Sequence, residues 1–90
     1  MLFMVVEHFK NGDAEPVYKR FNKHGRLAPV GLKYVDSWVD EELTICFQIM
    51  ETEDRSLLDQ WMENWNDLVD FEVYPVTTSD KAVEETVKRT

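Results

Sequence analysis

The apolar residues of this chain fall into six segments that switch between a two-residue and a 3.6-residue rhythm, and few folds accept the order in which they come. Alternation marks Leu2–Phe9, Leu32–Val39, Leu43–Glu51 and Val69–Val76 as strands, and helical spacing marks Ala14–His24 and Arg55–Trp65 as helices. The β-α-β-β-α-β order predicts a ferredoxin-like α+β fold. Its four-stranded antiparallel sheet has the spatial order 4-1-3-2 and carries both helices on one face. The opposite face is left without a cover from its own chain.

The connections agree with this reading. Asn11-Gly12-Asp13 forms a turn, Asp13 is placed to cap the first helix, and Pro16 sits in the first turn, where its missing N–H has no partner to lose. Val17, Phe21 and His24 then make one inward stripe, and Gly25 ends the helix. Gly25–Gly31, with two glycines and a proline, reads as a shaped loop, and Asp40-Glu41-Glu42 as a hairpin turn. In the second helix Leu58, Trp61, Met62 and Trp65 recur at i, i+3, i+4, i+7, the spacing of a buried stripe. The more apolar parity of each strand is expected beneath the helices, so this stripe should meet Ile45, Phe47, Phe71 and Val73. Residues 1–78 read as one domain, and 79–90 as a polar tail or short helix with a thin apolar stripe of Ala82, Val83 and Val87.

Composition narrows the function classes. A net charge of −8, from 18 acidic and 10 basic residues, disfavours a nucleic-acid partner, which needs a concentrated positive surface. The apolar start, Met1–Val6, ends at Glu7 and is too short for a membrane span, so no membrane partner is expected. One cysteine, Cys46, forbids an intrachain disulfide and suits a reducing, cytoplasmic setting. Two distant histidines and that cysteine have no zinc-ligand spacing, and neither a metal nor a cofactor is expected.

Residues able to carry chemistry are few. Glu7 and His8 are strand neighbours, point to opposite faces and cannot form a dyad with each other. His8 and His24 are the available imidazoles, and His24, at a helix C-terminus, also suits a purely structural role there. Arg26 lies in the shaped loop, with a fork of donors suited to planar oxygen acceptors. With Tyr34 and Trp38 supplying ring faces, these residues make a candidate ligand pocket. Strand alternation puts Tyr34 and Trp38 on one side of strand two and Thr44, Cys46, Gln48 and Met50 on one side of strand three. Those six residues are candidates for a homodimer interface across the open sheet face. Cys46, without a neighbouring base or cation, reads as a buried, inert thiol.

Several stretches resemble a known family. They are His24-Gly25-Arg26-Leu27-Ala28-Pro29, Gly31-Leu32-Lys33-Tyr34, Ser37-Trp38-Val39, Cys46-Phe47-Gln48-Ile49-Met50-Glu51 and Asp67-Leu68-Val69-Asp70-Phe71-Glu72-Val73. They are similar to a family of short prokaryotic proteins catalogued as a domain of unknown function, from Met1 to about Thr78. The resemblance implies a dimeric α+β barrel and brings with it no activity, cofactor or catalytic residue. More distantly, the pattern is similar in fold to muconolactone isomerases and antibiotic-biosynthesis monooxygenases, a likeness that does not transfer function.

Three functions fit these observations. The first is a small-molecule-binding barrel. The second is a cofactor-independent oxygenase or isomerase of a small aromatic or lactone substrate, with His8, His24 or Arg26 polarising a carbonyl. The third is a non-catalytic interaction or regulatory module. An enclosed space between helices and sheet, lined by a polar group, separates the first two from the third.

Overall fold

The computed structural model describes residues 1–88 and shows the expected α+β fold. In chain order the elements are β1 (Leu2–Phe9), α1 (Glu15–His24), β2 (Lys33–Val39), β3 (Ile45–Glu51), α2 (Arg55–Glu63), β4 (Val69–Val76) and α3 (Ser79–Lys88). A single 3-10 turn, Lys10–Gly12, leads into α1. The sheet runs β2-β3-β1-β4 with every pairing antiparallel, which is the expected order read from the other edge. Arg89 and Thr90, the last two positions of the expected tail, lie outside the described residues.

Register decides which side of each strand is core. Phe3, Val5, Glu7 and Phe9 of β1 are all buried, and directly opposite the first three stand Met50, Gln48 and Cys46 of β3. Cross-strand partners share a face, so Cys46, Gln48 and Met50 lie beneath the helices. This corrects two expectations. These three residues are core and are not available to a dimer interface, and Ile45 and Phe47 do not meet the α2 stripe, because they occupy the opposite face. The chain therefore places its more apolar β3 parity on the uncovered side.

Tyr34 and Trp38 do not share a side either. Between Tyr34, opposite Met50, and Asp36, opposite Ile49, the β2–β3 ladder carries a bulge that leaves Val35 unpaired. One extra residue reverses the alternation. Tyr34 is thus on the helix face, whereas Trp38, opposite Phe47, is on the open face and 54% exposed. Thr44 belongs to neither face. It sits in the turn before β3, where its amide and hydroxyl donate to Asp40 at 2.7 and 2.8 Å.

The α2 stripe is buried as expected. Asp54 caps the helix by accepting from the Ser56 amide at 2.9 Å. Leu58, Trp61 and Trp65 join Phe3, Val5, Phe9, Met50 and Val69 in one cluster, and Met62 packs half-buried against it. Trp61 also meets the Phe71 ring at 5.8 Å between centroids.

Helix α1 departs from expectation: Val17 is its single buried residue, Phe21 is 41% exposed and His24 is exposed. Part of the volume beneath α1 is open space, so its apolar side faces a cavity instead of packed atoms. The helix is tied down elsewhere, through Arg20, whose two terminal nitrogens donate to both Asp67 oxygens at 2.8 and 2.7 Å. Helix α3 extends from the sheet, every described residue of it exposed.

Trp61→Ala should lower unfolding free energy by about 3–5 kcal/mol, the range for removing a buried aromatic. Urea denaturation monitored by circular dichroism measures it, and a loss of only a few tenths would contradict the burial described here.

Candidate functional site

The site begins with a break in a pattern. The inward residues of β1 read Phe3, Val5, Glu7, Phe9, so alternation drives one carboxyl into an apolar face. Glu7 is only 7% exposed. Burial, which disfavours the charged form, pushes its pKa from 4.5 up to about 7, while a hydrogen bond with the Cys46 side chain and the charge of Arg26 pull in the other direction. The same burial, reinforced by the Glu7 charge, pushes the Cys46 thiol up to about 12. A thiol so disposed is no nucleophile at neutral pH.

Arg26 is held from two directions. Gly25 leaves α1 at a φ of 73°, a conformation that favours glycine, and turns the chain towards α2. There the indole N–H groups of Trp61 and Trp65 both donate to the Arg26 carbonyl at 3.0 Å, and the Asn64 side-chain amide donates to the Leu27 carbonyl at 3.2 Å. The backbone of the loop is thereby fixed to the C-terminal part of the α2 segment. The side chain turns back over the sheet, where Nε donates to Gln48 Oε1 at 3.1 Å and the guanidinium lies 3.6 Å from the Tyr34 ring centre.

Arg26, Gln48 and the two tryptophans, with Glu7 and Cys46, line one cavity of about 270 Å³ between α1, the α2 segment and the sheet. Glu7, Cys46 and Gln48 come from the strands, Tyr18 and Phe21 from α1, and Trp61 and Trp65 from the opposite wall, with Arg26 between them. Among the lining residues Arg26 is the sole cation and Glu7 the sole carboxyl. A lining of aromatic and aliphatic side chains with a few convergent polar groups is the usual make-up of a small-molecule site.

Of the residues expected to form a pocket, Arg26 alone lines the cavity, and the Tyr34 ring, which is not part of that lining, lies against its guanidinium. His8 is on the open face of β1, where Nε2 meets Glu72 Oε1 and the Tyr74 hydroxyl donates to Glu72 Oε2 at 2.6 Å. Trp38 is on that same face, and His24 is exposed at the end of α1. None of these three lines the cavity. The decisive omission was Glu7. Its signal was available, as a charged residue in the inward register of a strand whose other inward residues are all apolar. Gln48 and Cys46, expected on the open face, lie on the helix face, because the more apolar parity of β3 is not its core parity. Among the described residues no group of three His, Cys, Asp or Glu side chains is arranged to hold a metal ion. No helix among them is long and apolar enough to cross a membrane.

Fold and site together define a ferredoxin-like α+β domain with a polar-floored cavity beneath its helices. The family model described as a domain of unknown function, DUF3303, matches residues 1–89, and the chain belongs to that family. The match runs past Thr78 to include α3. No curated protein and no solved structure matches the chain.

The buried carboxyl has a thermodynamic signature. Glu7 titrates at 4.5 when unfolded and near 7 when folded, so between those values the folded protein holds more protons. Its contribution therefore falls as pH rises through that window and is flat above it. Compared with Glu7→Gln, wild type should lose up to about 3 kcal/mol of stability over the window. Chemical denaturation of both proteins across the range measures the difference, and parallel pH profiles would contradict a carboxyl buried as described.

Proposed function

We propose that this protein binds a small, largely aromatic molecule in the cavity between its helices and sheet, and that it acts as a homodimer paired through the open sheet face. The observation that carries the first half is the convergence of Glu7, Gln48 and Arg26 on one space of about 270 Å³ walled by aromatic rings. A core that served only for stability would fill that space and leave out the carboxyl, since voids and buried polar groups both destabilise.

The second half is supported by the uncovered face, which presents Trp38, Phe47, Tyr74 and Val76, all exposed, together with Met4 and Val6. Two such faces meeting about a two-fold axis close a barrel and bury a surface larger than a monomer commonly exposes. A lone cysteine with a raised pKa needs no oxidising compartment, in keeping with a cytoplasmic setting.

One observation favours catalysis as a second reading. A buried carboxyl that titrates near neutrality is suited to proton transfer, and the guanidinium in the same cavity is suited to stabilising an enolate or carbonyl oxygen. In an isomerase of this kind Glu7 takes the role that His8 and His24, both outside the cavity, cannot fill.

The three tryptophans separate the two surfaces. In ¹H–¹⁵N spectra, benzamide, a neutral planar aromatic, should shift the indole N–H signals of Trp61 and Trp65 and leave that of Trp38 in place. Signals of Trp61 and Trp65 unmoved by millimolar benzamide would remove the cavity reading. For the dimer, sedimentation velocity at micromolar concentration should give twice the 10.7 kDa chain mass. Phe47→Arg should return it to a monomer that stays folded, and a monomeric wild type would remove the dimer.

A further inference from the structure

The charge inventory of the cavity specifies more than an aromatic guest. Among the described residues of a chain with 18 acidic side chains, no carboxylate pairs with Arg26. Its Nε is used by Gln48 and its plane by Tyr34, and its two terminal nitrogens have no acceptor among those residues. Other cations of the chain do find acids: Arg20 takes Asp67, Arg55 takes Asp59, Lys19 takes Glu15. Arg26 is half-buried, positioned at its backbone by two indoles and at its side chain by an amide, and its terminal donors are open to an acceptor from outside the described residues. A guanidinium with a free edge selects a planar oxyanion, since its parallel N–H donors match a carboxylate in both spacing and direction.

The other polar group of the cavity constrains the guest further. Around Glu7, β3 supplies Cys46, α1 supplies Tyr18 and the loop supplies Arg26, whereas β4 supplies Phe71 opposite it in register, and the Trp61 and Trp65 of the α2 wall do not titrate. Arg26 is the only one of these that is charged at neutral pH. A second anion entering beside an ionised Glu7 would be repelled in a poorly solvated space. Beside a protonated Glu7 it gains a hydrogen-bond donor. The walls are Phe9, Tyr18, Phe21, Trp61 and Trp65, which favour an aromatic ring behind the oxyanion.

We propose that the cavity is a site for a small aromatic carboxylate, whose oxygens pair with Arg26 and accept a hydrogen bond from the Glu7 carboxyl. This rests on the cavity reading above and specifies its ligand class. Above about pH 7, binding then takes up one proton at Glu7, because the complex needs the carboxyl in its neutral form. The free protein already holds that proton below about pH 7, so affinity is flat on the acid side and falls about tenfold per pH unit on the alkaline side.

The test uses benzoate as the probe, with benzamide as its uncharged counterpart of the same shape, read by the indole signals of Trp61 and Trp65. Benzoate remains ionised from pH 6 to pH 8, so its own titration does not contribute. Wild type should bind it about tenfold more weakly at pH 8 than at pH 6, and its affinity for benzamide should change far less. Glu7→Gln, which keeps a donor without a titrating proton, should bind benzoate equally at both values. Arg26→Met should lose affinity for benzoate by a far larger factor than for benzamide, with circular dichroism checking that the variant is folded. Benzamide bound without benzoate, or benzoate bound with no dependence on pH in wild type, overturns the carboxylate assignment and leaves the cavity reading standing. If neither probe binds, both fall.

Discussion

The backbone carbonyl of Arg26 is the point on which this small domain turns. Two indole N–H groups, from Trp61 and Trp65, meet there at 3.0 Å each. Each tryptophan buries a large apolar surface and must also find a partner for its one polar atom. Directing both to the same carbonyl solves two problems at once, since the rings stay in the core and the loop after α1 is fixed over the sheet. The Arg26 side chain is consequently presented from an immobilised backbone. The positive φ at Gly25 and Leu27 gives the loop the path it needs to reach that position.

The cavity follows from the way α1 is attached. With Val17 as its only buried residue, the helix is not drawn flat onto the sheet. Val17 anchors it to the core, and the forked Arg20–Asp67 pair ties it to the segment after α2, with Arg20 also donating to the Asn64 carbonyl at 2.9 Å. Between these attachments the floor of β1 and β3 is polar, formed by Glu7, Gln48 and Cys46. A polar floor beneath an apolar helix face does not collapse into a dry core, because closing the gap would desolvate the carboxyl further. The void and the displaced titration of Glu7 are thus two expressions of one arrangement.

The two faces of the sheet have distinct characters. The helix face combines large apolar groups with a polar centre, whereas the open face carries Trp38, Phe47, Ile45, Ile49, Met4 and Val6 beside the His8–Glu72–Tyr74 network. In β3 the uncovered parity is the more apolar of the two. For a strand with one face in solvent this is the reverse of the usual distribution, and it is the feature that most favours a second copy against that side.

Strand and helix identity, their order and the sheet topology were all legible in the sequence, because the two-residue and 3.6-residue rhythms are properties of local backbone geometry. So was the burial of Leu58, Trp61 and Trp65, and so was the separation of Glu7 from His8 on opposite faces. The location of the site was not. Which parity of β3 is core depends on its register against β1, and which side Tyr34 and Trp38 occupy depends on a one-residue bulge at Val35. Neither leaves a local mark in the sequence, since both are set by pairing between segments distant along the chain. Glu7 stood in the inward register from the start. Only the packed structure decided that it would meet Arg26 and Gln48 in one cavity, because that meeting required one tryptophan on α2 and another in the turn after it to fix the loop in place.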